Sequence, residues 1–347
     1  MRRVVPVDEY LRALEQELVL RYGVGEWTVD TLYCGGGTPS RLGPDGVSGM
    51  LDVLRTRTAF ANDAEITLEA NPEDVTGPAV KAWRQAGVNR LSIGAQSFDE
   101  RVLRWMHRTH DAAAIRRAVD AARSEGIENL SLDLIFGLPD GVDRSWEDDV
   151  EIALGLEPSH LSLYGLTIEP HTPLGRWRSR GDIREAADDR YEAEFLHAHE
   201  ALVAAGLEHY EVSNFARSGM RARHNSAYWS GAPYSGLGPS AHGFDGRWRR
   251  WNVGAYADWV ARLKACRDPI EARECLTTDN RLAEDVYLGL RTAGGLVLSG
   301  PEIAHVARWI DSGWGVLRPD GRLSLTPLGW LRLDALAADL TVFRSRY

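Results

Sequence analysis

The sequence predicts an α/β fold: a parallel sheet curled into a barrel or half-barrel, followed by a smaller α+β module of winged-helix character. Three observations carry this. Short β-branched or apolar runs that end in a polar residue recur five times, each followed by a stretch of helical spacing. Three consecutive glycines and a proline close the first of those runs. From about Thr278 the rhythm changes to helical stretches flanking a hairpin-like segment.

The first run, Val29-Asp30-Thr31-Leu32, passes into Tyr33-Cys34-Gly35-Gly36-Gly37-Thr38-Pro39-Ser40. Glycine lets backbone N–H and C=O groups approach a ligand with no Cβ in the way, and Pro39 fixes the exit of the loop. Taken alone, the run reads equally well as an ordinary turn or a phosphate cradle. The second run, over 65–72, ends in Glu69 and an Asn71-Pro72 stop, and helical spacing follows over 77–86. The third, Arg90-Leu91-Ser92-Ile93-Gly94-Ala95-Gln96-Ser97, ends in an amide. The fourth, 129–139, carries Asp133 inside an apolar stretch, and the fifth, 160–170, contains Tyr164 and Glu169. In barrels of this kind the loops after the strand C-termini build the active site, so Gly36, Glu69, Gln96 and Asp133 are expected on one rim.

A length of 347 residues with 44% hydrophobic content can bury a substantial core and predicts two domains. The net charge of −10 argues against an electrostatic grip on nucleic acid. The basic run Arg247-Trp248-Arg249-Arg250-Trp251 reads as a solvated loop with aromatic anchors. There is no apolar stretch of ~18 residues and no signal-peptide pattern, which predicts a cytoplasmic protein without a transmembrane segment. Cys34, Cys266 and Cys275 lack metal-ligand spacing, and each reads as a reduced, packed small residue, the last two in helical-looking stretches.

Beyond the repeated units, 171–182 reads as a Pro/Gly/Arg-rich connection, 186–205 as an amphipathic helix and 209–216 as a further strand. Segment 223–244 is dense in Gly, Tyr, Trp and His. Helices over 281–293 and 300–313, a short hairpin in 315–326 around Pro319-Asp320-Gly321, and a last helix from Pro327 complete the chain. Mixed charges make this last module a packing domain rather than a DNA reader. The expected divisions are a barrel over 1–215, a connecting region over 216–277 and an accessory domain over 278–347.

Together the strings GGGTPS at 35–40, EANP at 69–72, NRLSIGAQSF at 89–98, HRTH at 107–110, LDLIFGLP at 132–139 and LTIEPHTPL at 166–174 are highly specific. The chain resembles the radical S-adenosylmethionine (radical SAM) enzymes of the oxygen-independent coproporphyrinogen III oxidase group, and the resemblance covers nearly its whole length. His224-Asn225-Ser226-Ala227-Tyr228-Trp229 matches the HNxxYW element of the haem-chaperone branch rather than of the oxidases. The resemblance implies a partial (β/α) barrel of radical SAM type with its first strand upstream of Met1. It implies S-adenosylmethionine contacts at Gly36, Gly37, Thr38, Glu69, Gln96, Arg108 and Asp133, and it makes His224 a candidate axial ligand to haem iron. The chemistry agrees: glycine backbone can meet an amino group, Glu69 and Asp133 can accept from hydroxyls or an ammonium, and Arg108 can pair with a carboxylate. Without the resemblance, Arg108 reads as a surface helix charge, and His224 reads as a loop-stabilising residue.

The chain departs from the family in one respect: it contains no CxxxCxxC triad, the three thiolates that hold the [4Fe–4S] cluster. Cys34 cannot substitute as a single thiol. In the family the triad follows the first barrel strand, just before the helix that begins here near Val7. Two explanations are expected: a start placed too late or a truncated chain, which is favoured, or a cluster-less paralogue. Loss of the first strand would leave the edge of the run at 29–35 unpaired. No catalytic residue is assigned, and enzymatic activity is left open. The expected function is haem binding and delivery to acceptor proteins at the membrane, with S-adenosylmethionine as cofactor. The [4Fe–4S] cluster is expected only with an N-terminal extension. The alternatives are oxidative decarboxylation of coproporphyrinogen III in porphyrin biosynthesis, and a cluster-less nucleotide- or haem-binding protein.

Overall fold

A computed structural model describes residues 6–22, 27–170 and 172–346. Met1, with the rest of 1–5, and His171 lie outside the described residues.

The five repeated runs form β1 (Trp27–Cys34), β2 (Thr58–Ala70), β3 (Arg90–Gln96), β4 (Asn129–Phe136) and β5 (His160–Gly165). They pair in parallel in chain order, as the βαβ rhythm requires. The expected strand over 209–216 is instead a tight hairpin, β6 (Glu208–Glu211) and β7 (Asn214–Ala216), because Val212-Ser213 turns the chain between two antiparallel strands. It closes the curled sheet in the order β1-β2-β3-β4-β5-β7-β6. Among the described residues β1 pairs with β2 alone.

Each parallel strand turns alternate residues to the two faces. Leu91, Ile93 and Ala95 of β3, and Leu130, Leu132 and Leu134 of β4, are almost fully buried against the outer helices. The alternate positions Ser92, Ser131, Asp133, His160 and Ser162 hydrogen-bond to one another across the concave face. The lumen is thus polar and the outer layer apolar. That is why the strands read as apolar runs interrupted by single polar residues rather than as the continuous apolar runs of a doubly covered sheet.

Beyond the half-barrel, β8 (His242–Phe244), β9 (Trp248–Asn252) and β10 (Ile270–Cys275) form an antiparallel sheet. Residues 248–251 of the basic run are therefore part of a strand, not a solvated loop, and Arg247 alone lies in the turn before it. Cys275 lies on β10 rather than on a helix; Cys34 is buried, whereas Cys266 is exposed and Cys275 partly so, which leaves Cys34 alone as a packed small residue. Glu17, fully buried on the first helix, ties this sheet to the barrel. It pairs with Arg21 at 2.8 Å and accepts from Trp259 Nε1 at 2.9 Å, Asn252 Nδ2 at 2.7 Å and the Gly238 amide at 2.8 Å.

The C-terminal region has helices Thr278–Arg291 and Gly300–Asp311, both opened by capping boxes, and the sheet β11 (Leu296–Val297), β13 (Arg322–Leu325) and β12 (Gly315–Leu317). The β12–β13 hairpin turns at the expected Pro319-Asp320-Gly321. The segment from Pro327 is split into Pro327–Trp330 and Leu333–Arg344. The expected connection at 171–182 contains a helix, Pro173–Arg180, with Thr172 as N-cap, Pro173 in its first turn and left-handed Gly181 at its end. Each region has a fully buried tryptophan: Trp83, Trp259 and Trp309. No helix among the described residues is long and apolar enough to cross a membrane.

Candidate functional site

Glu69 is the last-but-one residue of β2 and organises the rim next to the glycine loop. Its carboxylate accepts the Tyr33 hydroxyl at 2.6 Å on one oxygen and the Gly36 amide at 3.1 Å on the other. A Cβ on Gly35 would stand 2.4 Å from the Tyr33 ring and 2.8 Å from Glu69 Oε1, so only glycine lets the loop pass this close. Gly36 has a φ of +108°, which favours glycine for a second reason. Gly35, Gly36 and Gly37 are exposed.

Gln96 ends β3 in a left-handed conformation with φ 69°. Its side-chain Nε2 and Arg108 Nη2 lie 2.8 and 2.9 Å from the point where a Gly94 Cβ would stand, so both depend on that glycine. Arg108 Nη2 also donates to the Gly94 carbonyl at 3.1 Å. Asp133, deeper in the lumen on β4, accepts Ser92 Oγ at 3.1 Å on both oxygens. Burial, aided by the neighbouring Glu69 carboxylate, pushes its pKa up to about 6.

The structure therefore brings Gly36 and Glu69 into contact, sets Gln96 and Arg108 over one glycine, and places Asp133 within electrostatic reach of Glu69. Thr38 bonds back to the Gly37 carbonyl, further along the same loop. The set holds two carboxylates, one guanidinium, an amide and open backbone N–H groups. That chemistry suits a cationic molecule that carries its own carboxylate.

His224 sits apart from the rim, on the helix Arg223–Trp229 against the lumen side of β1. Its ring stacks on Tyr33, with centroids 5.4 Å apart. Nδ1 lies 2.9 Å from Thr31 Oγ1, and Nε2 lies 3.0 Å from the Tyr228 hydroxyl. Burial lowers its pKa, which keeps the imidazole neutral. Sequence reasoning missed what holds this helix. Glu65, buried in β2, accepts the Arg223 and His224 amides at 3.0 Å each, satisfying two orphan N–H groups of the helix start with a carboxylate. The alternation Glu65-x-Thr67-x-Glu69 inside an apolar strand was the available signal.

Beside His224 opens a cavity of about 1090 Å³, bounded by β1, the His224 helix and the β8–β10 sheet. Its aromatic lining includes Tyr22, Trp27, Tyr228, Tyr234, Phe244 and Trp248.

This curled sheet with its ligand-ready rim is the architecture of a radical SAM protein, and residues 4–153 match the radical SAM superfamily. Over its full length the chain is similar to coproporphyrinogen III oxidase (HemN) of Escherichia coli, with a TM-score of 0.83, 24% identity, and coverage of 99% of this chain and 85% of that one. The heme chaperone HemW of Mycobacterium tuberculosis is 38% identical over 340 residues, covering 97% of this chain and 87% of that protein. HemW of Bacillus subtilis is 34% identical over 293 residues, covering 84% and 77%. The chain belongs to the HemW family.

The superfamily implies S-adenosylmethionine and a [4Fe–4S] cluster. The rim residues suit the first of these, a sulfonium with an ammonium and a carboxylate. They do not suit the second: among the described residues no group of three Cys, His, Asp or Glu could hold a metal ion, and the three cysteines are free and scattered.

Proposed function

We propose that this chain is a haem chaperone of the HemW kind, which binds haem beside the His224 helix and S-adenosylmethionine at the strand rim, and passes haem to acceptor proteins. One observation carries the proposal: a neutral, half-buried histidine of the HNxxYW element stands in the wall of an aromatic cavity. Small-molecule sites span roughly 300–1,000 Å³, so a cavity of about 1090 Å³ suits a flat macrocycle the size of a porphyrin. A neutral imidazole nitrogen is a ligand for haem iron once its present partner, Thr31 or Tyr228, gives way.

At the rim, Glu69 and Asp133 would face the cationic groups of S-adenosylmethionine and Arg108 its carboxylate. Gly36, Gly37 and Thr38 would offer backbone groups to its amino end, and Gln96 a donor and an acceptor. With a cluster bound, the cofactor supplies one-electron chemistry in this superfamily. No cluster ligands are assigned to this chain, and no step is derived through it. The barrel at 1–215, the connecting region at 216–277 and the accessory domain at 278–347 divide these roles: the first carries the rim, the second the haem helix, and the third packs against both. The site of action is the cytoplasmic side, with acceptors at the membrane.

The test is a haem titration of the chain and of His224→Ala, followed by absorption. Saturable binding with a histidine-ligated spectrum is expected, and His224→Ala should weaken it by about tenfold or more. Equal affinity and an identical spectrum would remove His224 as a ligand. Absence of binding by the parent chain would overturn the function itself. Release of 5′-deoxyadenosine coupled to propionate decarboxylation would replace the chaperone with an oxidase.

A further inference from the structure

We infer that Asp149, Arg144 and Glu194 form a buried charge clamp that positions Gln96 and the loop after β4 at the cofactor rim. The ligand side of this inference rests on the S-adenosylmethionine proposal above; the clamp itself does not.

Gln96 occupies a left-handed backbone conformation that costs a non-glycine residue free energy and persists only where its surroundings over-determine it. The residues after it supply that determination. The Ser97 amide donates to the Ala95 carbonyl at 2.9 Å, closing a tight turn around Gln96. Asp149 then takes hold of the same turn with both oxygens: it accepts Ser97 Oγ at 2.7 Å on one and the Phe98 amide at 2.5 Å on the other. Asp149 lies on the helix Trp146–Gly155, outside the strand that it restrains.

Arg144 fixes Asp149. The two side chains are each 2% exposed and pair at 2.5 Å. The same guanidinium lies over the Trp146 ring, 4.5 Å from its centroid, and reaches Glu194 Oε2 at 3.4 Å. Glu194, on the helix Asp188–Ala204, accepts the Gly137 amide at 2.8 Å, and its backbone carbonyl accepts Trp146 Nε1 at 2.7 Å. Gly137 has φ +66° and opens the loop after β4, the strand that carries Asp133. One cation and two carboxylates from three separate segments thus grip two successive post-strand loops. Removing Arg144 would leave two carboxylates without their counter-charge, and removing either carboxylate would leave the guanidinium with a single ionic partner. None of the three residues lies among the rim contacts, so they are positioning residues that act through Gln96 and the Gly137 turn.

The test compares the parent chain with Asp149→Asn and the milder Ser97→Ala, which removes one bond to Asp149 and no charge. Three quantities are measured: amide hydrogen exchange at Phe98 and Gly137, unfolding stability with and without Gln96→Gly, and calorimetric affinity for S-adenosylmethionine. The clamp predicts exchange at Phe98 at least about tenfold faster in Asp149→Asn, and a smaller acceleration in Ser97→Ala. It predicts that Gln96→Gly, which relieves the left-handed strain that the clamp enforces, stabilises the parent chain more than it stabilises Asp149→Asn, where the turn can already relax, and so couples non-additively with it. Affinity should fall by about tenfold or more in Asp149→Asn. Unchanged Phe98 exchange, or strict additivity with Gln96→Gly, overturns the clamp. Faster exchange with affinity held within about twofold overturns its role at the rim. If the parent chain binds no S-adenosylmethionine, the cofactor proposal fails, while exchange and coupling still decide the clamp.

Discussion

The rim and the aromatic cavity are built by opposite means. The rim collects residues from the ends of β1, β2 and β3, from within β4 and, in Arg108, from the segment that joins β3 to β4, all placed by the regular βα progression. The cavity is assembled by long-range contacts: His224 meets Glu65 across 159 positions of sequence and Thr31 across 193. The rim is charged, glycine-lined and open; the cavity is aromatic and sits between two sheets. A site that topology delivers can be damaged locally. A site held by a few distant bonds should lose its shape when one of them goes, and this is the difference that substitutions can break.

The largest effect is expected at Glu65. Glu65→Ala leaves two helix-terminal N–H groups without their carboxylate, a loss of about 2–4 kcal/mol at 1.5–3 kcal/mol per charged bond with partial rehydration. Urea unfolding should register that loss, and haem affinity should fall with it because the His224 helix is no longer seated. Glu69→Ala at the rim is the matching perturbation. It should cost less, about 1–2 kcal/mol, since water can replace the carboxylate at the exposed Gly36 amide and only the part-buried Tyr33 hydroxyl loses its partner, while S-adenosylmethionine affinity falls by tenfold or more. If Glu69→Ala proves the more destabilising of the two, the contrast between topological and long-range assembly is wrong.

A second effect separates rim from cavity by pH. Asp133 has a folded-state pKa of about 6, above the ordinary value of 3.8, chiefly because it is buried. The folded chain therefore holds this proton more tightly than the unfolded chain, and stability falls as pH rises from about 4 to about 6. Asp133→Asn removes that slope and should stabilise the ligand-free chain at pH 7 by about 1–3 kcal/mol, less whatever its hydrogen bonds to Ser92 lose. Melting curves at pH 4.5 and 7.5 check it: the gain should appear at the higher pH alone. A bound cation beside Glu69 and Asp133 would reverse the preference for the proton. The slope should therefore flatten when S-adenosylmethionine is present.

The same distinction explains what the sequence made legible. The five strands announce themselves because each carries an apolar face, and single polar residues within them, Glu69, Gln96 and Asp133, mark the lumen by their period of two. Helices were readable by their spacing but their limits less so: 77–86 and 300–313 lie close to Gly77–Gln85 and Gly300–Asp311, whereas the helix expected over 281–293 runs from Thr278 to Arg291, started by a Thr277–Asn280 capping box. The hairpin at β6 and β7 was hidden because Val212-Ser213 has no glycine, asparagine or proline to signal a turn. Its geometry is enforced by Glu211, which accepts the Ser213 amide at 3.1 Å. The helix Pro173–Arg180 was masked by its own punctuation, since the Thr-Pro start and glycine end that suggested a loop are its caps. The distant partners of His224 could not be read from its own segment, because nothing local to 223–229 points to Thr31 or Tyr33, and Glu65 was marked only by its period-two place in β2.

The smallest expected effect tests whether the two regions are independent where they touch. Tyr33 belongs to both: its hydroxyl donates to Glu69 at 2.6 Å, and its ring stacks on His224. Tyr33→Phe deletes the hydrogen bond and keeps the stack. At about 0.5–1.5 kcal/mol for one bond, S-adenosylmethionine affinity should fall by roughly two- to twelvefold. Haem affinity should stay within about twofold, since the face presented to His224 is unchanged. Parallel titrations of the two ligands give both numbers from one preparation. A loss confined to S-adenosylmethionine keeps rim and cavity as separate sites with a shared wall. An equal loss for haem would mean that the Glu69 carboxylate, acting through the Tyr33 hydroxyl, also sets the position of His224, and the two sites would then be one coupled unit.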